Sequence, residues 1–384
     1  MLWRRISRVE NQNTTSAPLF QPGETTVIHS VAQMSRVGKT LRNTGRPVVL
    51  VPTMGALHEG HLELIRAAQT LPRAVVVVSV FVNPLQFGEG EDFEAYPRTL
   101  DEDVAKIREV GAELVFAPTA SDMYPNGFRT TVAASELSTE LEGASRPGHF
   151  NGAMTVVNKL FNITHCTDAI FGEKDYQQLV LMQQMVTDLN LPVQLHAIPV
   201  IRERDGLAMS SRNRYLSADE RESAVTLSAA LTAGAYVGAQ GAQAVLDTAW
   251  AVLNERPEVQ VDYLVLRDMQ LRELPSQSTT GAESTDSTAT PATPIEARLL
   301  VAAKVGTTRL LDNVGVILGA EDERSQAERE QKEIAQAALD AAGLGDEPLT
   351  EVEMAQIKQL HEQVQQVRKD RLARQKLGEA GFSE

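Results

Sequence analysis

Between residues 26 and 201, short apolar runs alternate with longer stretches in which apolar residues recur every three or four positions. The runs lie near residues 47–52, 74–82, 113–117, 168–172 and 195–201. Apolar throughout and bounded by turn-forming residues, they read as strands buried on both faces, with amphipathic helices between them. Strand–helix–strand alternation predicts right-handed βαβ units and hence a doubly wound parallel sheet of the α/β class. Ligands of such sheets sit outside the carboxyl ends of the strands, where this chain places His58, residues 83–86, Lys174 and Asp175.

The pattern changes near residues 210–216. Ser217-Ala218-Asp219-Glu220 has the spacing of a capping box opening a helix. Two helices, a strand near residues 262–267 and a hairpin over 297–312, turning at Gly306 and Thr307, predict a smaller α+β domain. The expected division is therefore a domain over residues 25–209 and a smaller one over 210–319. Residues 1–24, polar and rich in Asn, Thr and Ser, predict a loose arm. Residues 276–294 are of low complexity and predict a disordered loop between strands. Residues 320–384 are acidic and Gln-rich. With Ile357, Leu360, Val364 and Val367 spaced three and four apart, they predict a helical extension too short in its repeat for a coiled coil.

Composition narrows the function classes. The 384 residues are 42% hydrophobic, enough for a sizeable core, and carry a formal net charge of −15. An acidic chain of this kind is not expected to bind nucleic acid or an anionic membrane, and any nucleotide site must gather its cations locally. No apolar stretch approaches the ~20 residues needed to span a bilayer, and the N-terminus lacks the apolar segment of a signal peptide. The one cysteine, Cys166, reads as a buried small hydrophobe and fits a reducing compartment, so a cytoplasmic protein is expected.

Chemistry concentrates first in Val51-Pro52-Thr53-Met54-Gly55-Ala56-Leu57-His58-Glu59-Gly60-His61. A buried strand, a small-residue turn and two histidines three apart form a strand-to-helix junction, and the unpaired N–H groups of a helix start favour phosphate. Gly60 leaves no side chain between the imidazoles, which would let a nucleotide approach the backbone. Two superficial matches fail. Val37-Gly38-Lys39-Thr40 ends like a nucleotide-binding P-loop, yet Gln33 stands where a glycine is required and no strand precedes it, so a surface helix is expected. The pair His58 and His61 also lacks the four-residue spacing of a zinc-protease helix, and no zinc is expected.

Four further segments accompany this junction: Asn83-Pro84-Leu85-Gln86-Phe87-Gly88; Gly143-Ala144-Ser145-Arg146-Pro147-Gly148-His149-Phe150-Asn151-Gly152; Phe171-Gly172-Glu173-Lys174-Asp175-Tyr176-Gln177-Gln178; and Gly206-Leu207-Ala208-Met209-Ser210-Ser211-Arg212-Asn213-Arg214-Tyr215. Together, and in this order, they resemble the pantoate–β-alanine ligases, from about Ile28 to Leu318. A His-x-Gly-His alone is shared by many nucleotidylyl transferases; five segments in order are specific. The resemblance implies a Rossmann-like fold of the His-x-Gly-His nucleotidylyl transferase type. It also implies an ATP-dependent condensation of pantoate with β-alanine through a pantoyl adenylate, with loss of pyrophosphate and then AMP.

The roles implied follow the matching residues. Met54, Gly55, Ala56, Leu57, His58, Glu59, Gly60 and His61 correspond to the first ATP segment, with His61 as catalytic proton donor and His58 as its partner. Gly172, Glu173, Lys174 and Asp175 correspond to the second. Met209, Ser210, Ser211 and Arg212 stand for the loop that meets the β- and γ-phosphates; the serines can equally begin a turn. Ile201 stands where adenine is contacted through the backbone, or is an ordinary strand residue. Gln86 and Gln178 match the pantoate-binding glutamines, neutral amides that hold a carboxylate without quenching it, and Gln86 also lines the β-alanine position. Arg146 and His149 either close over pantoate or scaffold their loop. ATP chemistry implies Mg²⁺ carried largely by phosphate and water, with no ligand set assigned; Asp103 or Asp175 are candidate contributors, and each is as readily a solvated carboxylate or a helix cap. The resemblance further implies a homodimer through the larger domain. Ala153 replaces a commonly β-branched residue, a departure without expected consequence. Competing readings are a transferase that leaves the nucleotide on its product, such as a pantetheine-phosphate or nicotinamide-mononucleotide enzyme, and an ATP-sensing scaffold.

Overall fold

The computed structural model describes residues 23–274 and 294–319, except Glu89 and Asp92. All but the last residue of the expected loop over 276–294, the extension over 320–384 and all but the last two residues of the expected arm lie outside the described residues.

Six parallel strands form the first sheet: β1 (Thr26–Ile28), β2 (Val48–Thr53), β3 (Val75–Val80), β4 (Leu114–Phe116), β5 (Asp168–Gly172) and β6 (Gln194–Ile198), in the order β1-β4-β3-β2-β5-β6. The helices of this part are α1 (Val31–Asn43), α2 (Glu59–Gln69), α3 (Leu100–Glu109), the single turns α4 (Ala120–Met123) and α5 (Glu142–Ser145), α6 (His149–Thr164) and α7 (Tyr176–Asp188). Alternate residues of β2 explain the double winding. Val48 and Leu50 join Met34 of α1 and Leu160 of α6 in one apolar layer, while Val49 and Val51 join Ile65 of α2 and Ile107 of α3 in the other. All four are fully buried, and burial on both faces makes the run apolar without alternation.

The five expected strands are present, the last ending at Ile198 rather than 201. A sixth, β1, escaped the pattern because three residues carry too little periodicity to register. The P-loop look-alike lies in α1, as expected, but Gly38 is buried: a Cβ there would stand 2.0 Å from the Thr164 carbonyl oxygen. The glycine permits the close crossing of α1 and α6.

Beyond Ser217, whose hydroxyl and Glu220 form the expected capping box, run α8 (Ala218–Tyr236) and α9 (Ala242–Leu253). A second, antiparallel sheet follows, of β7 (Val259–Asp268), β8 (Ile295–Val305) and β9 (Thr308–Leu318), with β8 and β9 turning through Gly306 and Thr307 as expected. One face of it packs on α8 and α9 through Leu227, Leu299 and Val316. Leu300 on the other face meets Tyr176 at the start of α7. Arg309 grips the Glu142 carboxylate at 2.6 and 2.8 Å, and the Tyr263 hydroxyl donates to it at 2.9 Å. These buried polar contacts fix the second sheet beside the carboxyl ends of the first.

Candidate active site

The strand order reverses between β2 and β5, and the segments leaving these two neighbours carry the chemistry, as expected of a doubly wound sheet. β2 ends at Thr53, after which Gly55 (φ +83°) and Ala56 (φ +51°) turn the chain to His58, the N-cap of α2. This left-handed pair of residues is held from α3. Asp103, fully buried, accepts the amides of Ala56 at 3.0 Å and Leu57 at 2.8 Å and the Thr99 hydroxyl at 3.1 Å. Lys106 donates to the Leu57 carbonyl at 2.7 Å. Asp103 is thus a brace, neither a solvated carboxylate nor a contributor to a metal site. Its role was invisible in sequence because two of its three partners are main-chain amides more than forty residues away.

The turn's amides are largely engaged. Gly55 donates to Thr53 Oγ1 at 3.3 Å, Ala56 and Leu57 to Asp103, and His58 to His61 Nδ1 at 3.4 Å. Of this segment's donors, the His61 ring lines a cavity, and the amides of Glu59 and Gly60 stand at the first positions of α2, where a helix leaves N–H groups without an intrahelical partner. Because Nδ1 accepts, the neutral His61 imidazole carries its proton on Nε2. Burial, then His58 and nearby Lys174, lower His61 to a pKa of about 3; burial and Lys174 lower His58 to about 4. Both rings are neutral at physiological pH, with centroids 4.0 Å apart.

Gly60 has a further reason beside the expected one. A Cβ there would meet the His58 ring at 3.0 Å and Met209 Cβ at 3.4 Å, so the glycine makes room for the chain's own histidine and for the loop lying over it.

Met54, His61, Gln86, Asp175 and Gln178 line one cavity of about 160 Å³, whose apolar wall includes Phe81, Val156, Val157 and Leu160. Gln86 is oriented by Asn83, which donates to its Oε1 at 3.1 Å, and its Nε2 faces Met54 Sδ at 3.1 Å. Gln177, next to Gln178, is engaged elsewhere: its amide donates to the carbonyls of Leu137 and Glu140 and accepts from Glu142 N–H. A larger, adjoining cavity of about 440 Å³ is walled by Arg146, Lys174, Asp175, Ser210 and Arg212. Asp175 belongs to both. Its cleft position raises its pKa, but Lys174, at 3.4 Å, and Arg212 outweigh this and hold it below the usual carboxylate range.

Two of the other expected site residues turn away from these cavities. Glu59 faces outward to Arg66, and Glu173 turns to Arg298 of β8 at 2.7 Å. Ser210 Oγ accepts the Arg212 amide at 3.3 Å, so it does begin a turn while also lining the larger cavity. Ser211 starts that turn and Met209 packs towards Gly60. The Ile201 carbonyl accepts the Met209 amide at 2.9 Å. Arg146 pairs with Glu91 at 2.6 Å and contacts His149 at 3.2 Å, while His149 Nδ1 donates to the Gln86 carbonyl at 2.8 Å. Both brace the wall that carries Gln86, and both line a small cavity with Lys174, Asp175 and Gln178, Arg146 reaching the larger cavity as well, so the structure leaves room for either expected role. Gly152 brings α6 against this wall: a Cβ there would lie 2.0 Å from the Leu85 carbonyl oxygen.

Among the described residues no three His, Cys, Asp or Glu groups are placed to hold a metal ion. Asp175 lines both cavities, while the other carboxylates of the larger one, Glu91, Glu142 and Asp312, pair with Arg146, Arg309 and Arg202; this set fits Mg²⁺ borne by phosphate and water. Cys166 is buried, its thiol pushed up to about 12 chiefly by burial, as an inert core residue should be. No helix among the described residues is long and apolar enough to cross a membrane.

A family model described as pantoate-beta-alanine ligase matches residues 26–315. The pantothenate synthetase of Corynebacterium jeikeium (strain K411) is 59% identical over 300 residues, covering 78% of this chain and 92% of the relative. That of Mycolicibacterium smegmatis is 55% identical over 303 residues, covering 79% and 91%. Among solved structures, a pantothenate synthetase from Thermus thermophilus has a TM-score of 0.65 at 42% identity, covering 75% of this chain and 98% of that one. A pantoate-beta-alanine ligase from Francisella tularensis, complexed with beta-gamma ATP and beta-alanine, has a TM-score of 0.59 at 29% identity, covering 76% and 97%.

Proposed function

The chain belongs to the pantoate-beta-alanine ligase family and joins pantoate to β-alanine with ATP; we propose that it does so through a pantoyl adenylate made in the paired cavities below β2 and β5. The observation that carries this assignment is that Gln86, Gln178 and His61 line one cavity while Lys174 and Arg212 wall the next, with Asp175 common to both. The smaller cavity fits pantoate: its branched apolar middle against Phe81, Val156, Val157 and Leu160, its hydroxyls and carboxylate on the two amides. Neutral amides orient the carboxylate yet leave its oxygen able to attack.

The carboxylate oxygen bonds to the α-phosphorus of ATP as the bond to the β-phosphate oxygen breaks, releasing pyrophosphate. His61 Nε2–H donates to the charge that develops there, an interaction strengthened in a partly dehydrated cleft. Lys174 and the turn from Ser210 to Arg212 hold the departing phosphates. Mg²⁺ carried in with ATP would neutralise phosphate charge beside Asp175. The amine of β-alanine then attacks the activated acyl carbon, its proton is lost, and the carbon–oxygen bond to AMP breaks. Residues 25–209 on this reading supply the acyl pocket and the first ATP segments, and residues 210–319 close the phosphate side.

AMP release that requires both pantoate and β-alanine is the deciding assay. Formation of a nucleotide-bearing product, or AMP release with either substrate omitted, would refute the assignment. The family resemblance supports a homodimer, which a monomeric mass in equilibrium sedimentation would contradict; a lone, buried, free Cys166 fits a reducing, cytoplasmic compartment.

A further inference from the structure

Two adjacent residues of β9 reach both of the cation-bearing segments. Asn313, 2% exposed, donates from Nδ2 to the Glu173 carbonyl at 3.0 Å and to the Lys174 carbonyl at 2.9 Å. Its orientation is unambiguous, because Oδ1 accepts from Arg298 Nε at 2.7 Å. Arg298, itself 5% exposed, pairs with Glu173 and lies 4.2 Å over the Tyr176 ring. The turn between β5 and α7 is thus fastened through consecutive main-chain carbonyls, and the residue between those carbonyls and the cleft is Lys174.

Asp312 fastens the other segment. Its carboxylate takes both terminal nitrogens of Arg202, at 2.6 and 3.0 Å, and Arg202 also donates to the Gly206 carbonyl at 3.1 Å. Arg202 bridges Ala208 across a short loop that the Met209 amide closes on the Ile201 carbonyl. Ser210 and Arg212 follow directly. Side chains alternate along a strand, so neighbouring residues reach in opposite directions; here one reaches the first segment and the other the second.

We propose that Asp312 and Asn313 are positioning residues for adenylation: this dipeptide fixes the spacing between Lys174 and Arg212, and so the fit of the cleft to the triphosphate. The inference rests on the reading that these two cations meet phosphate. A polyphosphate gains from both only when their separation matches its own, and errors near 1 Å in such placement cost up to ~100-fold in rate. The second sheet, which contributes neither cation, thereby sets the geometry of the ATP side.

The test is pyrophosphate–ATP exchange in the full-length protein with Asn313→Ala, Asp312→Asn, Lys174→Met and the double variant Asn313→Ala/Lys174→Met, with folding checked by thermal melting. Asn313→Ala and Asp312→Asn are expected to lower kcat/KM for ATP by roughly 10- to 100-fold, with KM for pantoate little changed. In the Lys174→Met background Asn313→Ala should cost little more, since its effect passes through a lysine already gone. Should Asn313→Ala fail to fold, Asp312→Asn carries the measurement through the Arg202 arm. Unaltered ATP kinetics in the folded variants, equal losses for ATP and pantoate, or independent multiplying losses in the double variant would overturn the inference. If Lys174→Met alone keeps wild-type ATP kinetics, the reading of Lys174 falls with it; if Lys174→Met is impaired and the losses multiply, only the inference falls.

Discussion

The His58 amide, donating to His61 Nδ1 at 3.4 Å, decides which edge of that imidazole can serve a ligand. With Nδ1 accepting and the pKa near 3, His61 offers Nε2–H as a neutral donor in the free enzyme. His61→Ala should keep the fold and lose roughly 10²- to 10³-fold in kcat, the scale for one preorganised donor; a loss within assay scatter in steady-state kinetics would remove His61 from the chemistry. The depressed pKa has a signed consequence. Between the unfolded value of 6.5 and the folded values of about 3 and 4, the unfolded chain binds protons that the native His61 and His58 do not. Stability from these groups is therefore full above about pH 6.5 and declines as pH falls towards 3. In proton NMR, the His61 resonance, assigned by its absence in His61→Ala, should stay flat from about pH 8 to 5; a midpoint near 6.5 would contradict the buried environment. Sequence made the two histidines and the two cavity glutamines legible because their motif is local. It did not separate the work of Gln177 from that of Gln178 in physical terms. Only the fold shows Gln177 bound to main-chain atoms of residues 137–142 and Gln178 lining the cavity. Gln178→Ala is expected to raise KM for pantoate with KM for ATP nearly constant, and Gln177→Ala to lower thermal stability first. Binding titrations in which Gln178→Ala weakens both substrates alike would place it outside the acyl pocket.

At the scale of elements, strands were readable wherever burial on both faces left an unbroken apolar run, as in β2 and β3, and the hairpin of β8 and β9 from the glycine at its turn. What stayed hidden is how elements hold one another. Gly38 and Gly152 look like helix-weakening residues in the sequence, yet each stands where a neighbouring carbonyl oxygen leaves no room for a Cβ. The grip of α3 on the turn after β2 was equally hidden, since the sequence offers Asp103 only as a candidate Mg²⁺ contributor, a solvated carboxylate or a helix cap and does not single out Lys106. Its importance can be measured. Asp103→Ala leaves the amides of Ala56 and Leu57 without acceptors, and a buried unpaired donor costs about 1–3 kcal/mol. Urea denaturation should show a loss of at least that order with an unchanged slope, together with lower kcat, because the turn carrying His58 and His61 loses its support. A variant as stable as the parent would mean that water replaces the carboxylate and that the brace is dispensable.

For the whole molecule, the distribution of charge matters more than its sum. On the proposed reading, a chain of net charge −15 handles a tetra-anionic nucleotide because Lys174 and Arg212 wall one cavity, and because the pairs made by the second sheet, Arg298 with Glu173 and Asp312 with Arg202, hold the segments beside them. The two sheets consequently act on one step. Every group assigned to phosphate, and both glutamines assigned to pantoate, serve formation of the adenylate; none is assigned to the amine of β-alanine except Gln86, which adenylation already uses. Exchange of labelled pyrophosphate into ATP should therefore proceed with pantoate alone and be abolished when pantoate is withheld. Added β-alanine should drain the intermediate and suppress exchange rather than stimulate it. A strict requirement for β-alanine would mean that the amine attacks before pyrophosphate has left, and the two cavities would then have to be read as a single ternary site instead of an adenylating site visited in turn by two nucleophiles.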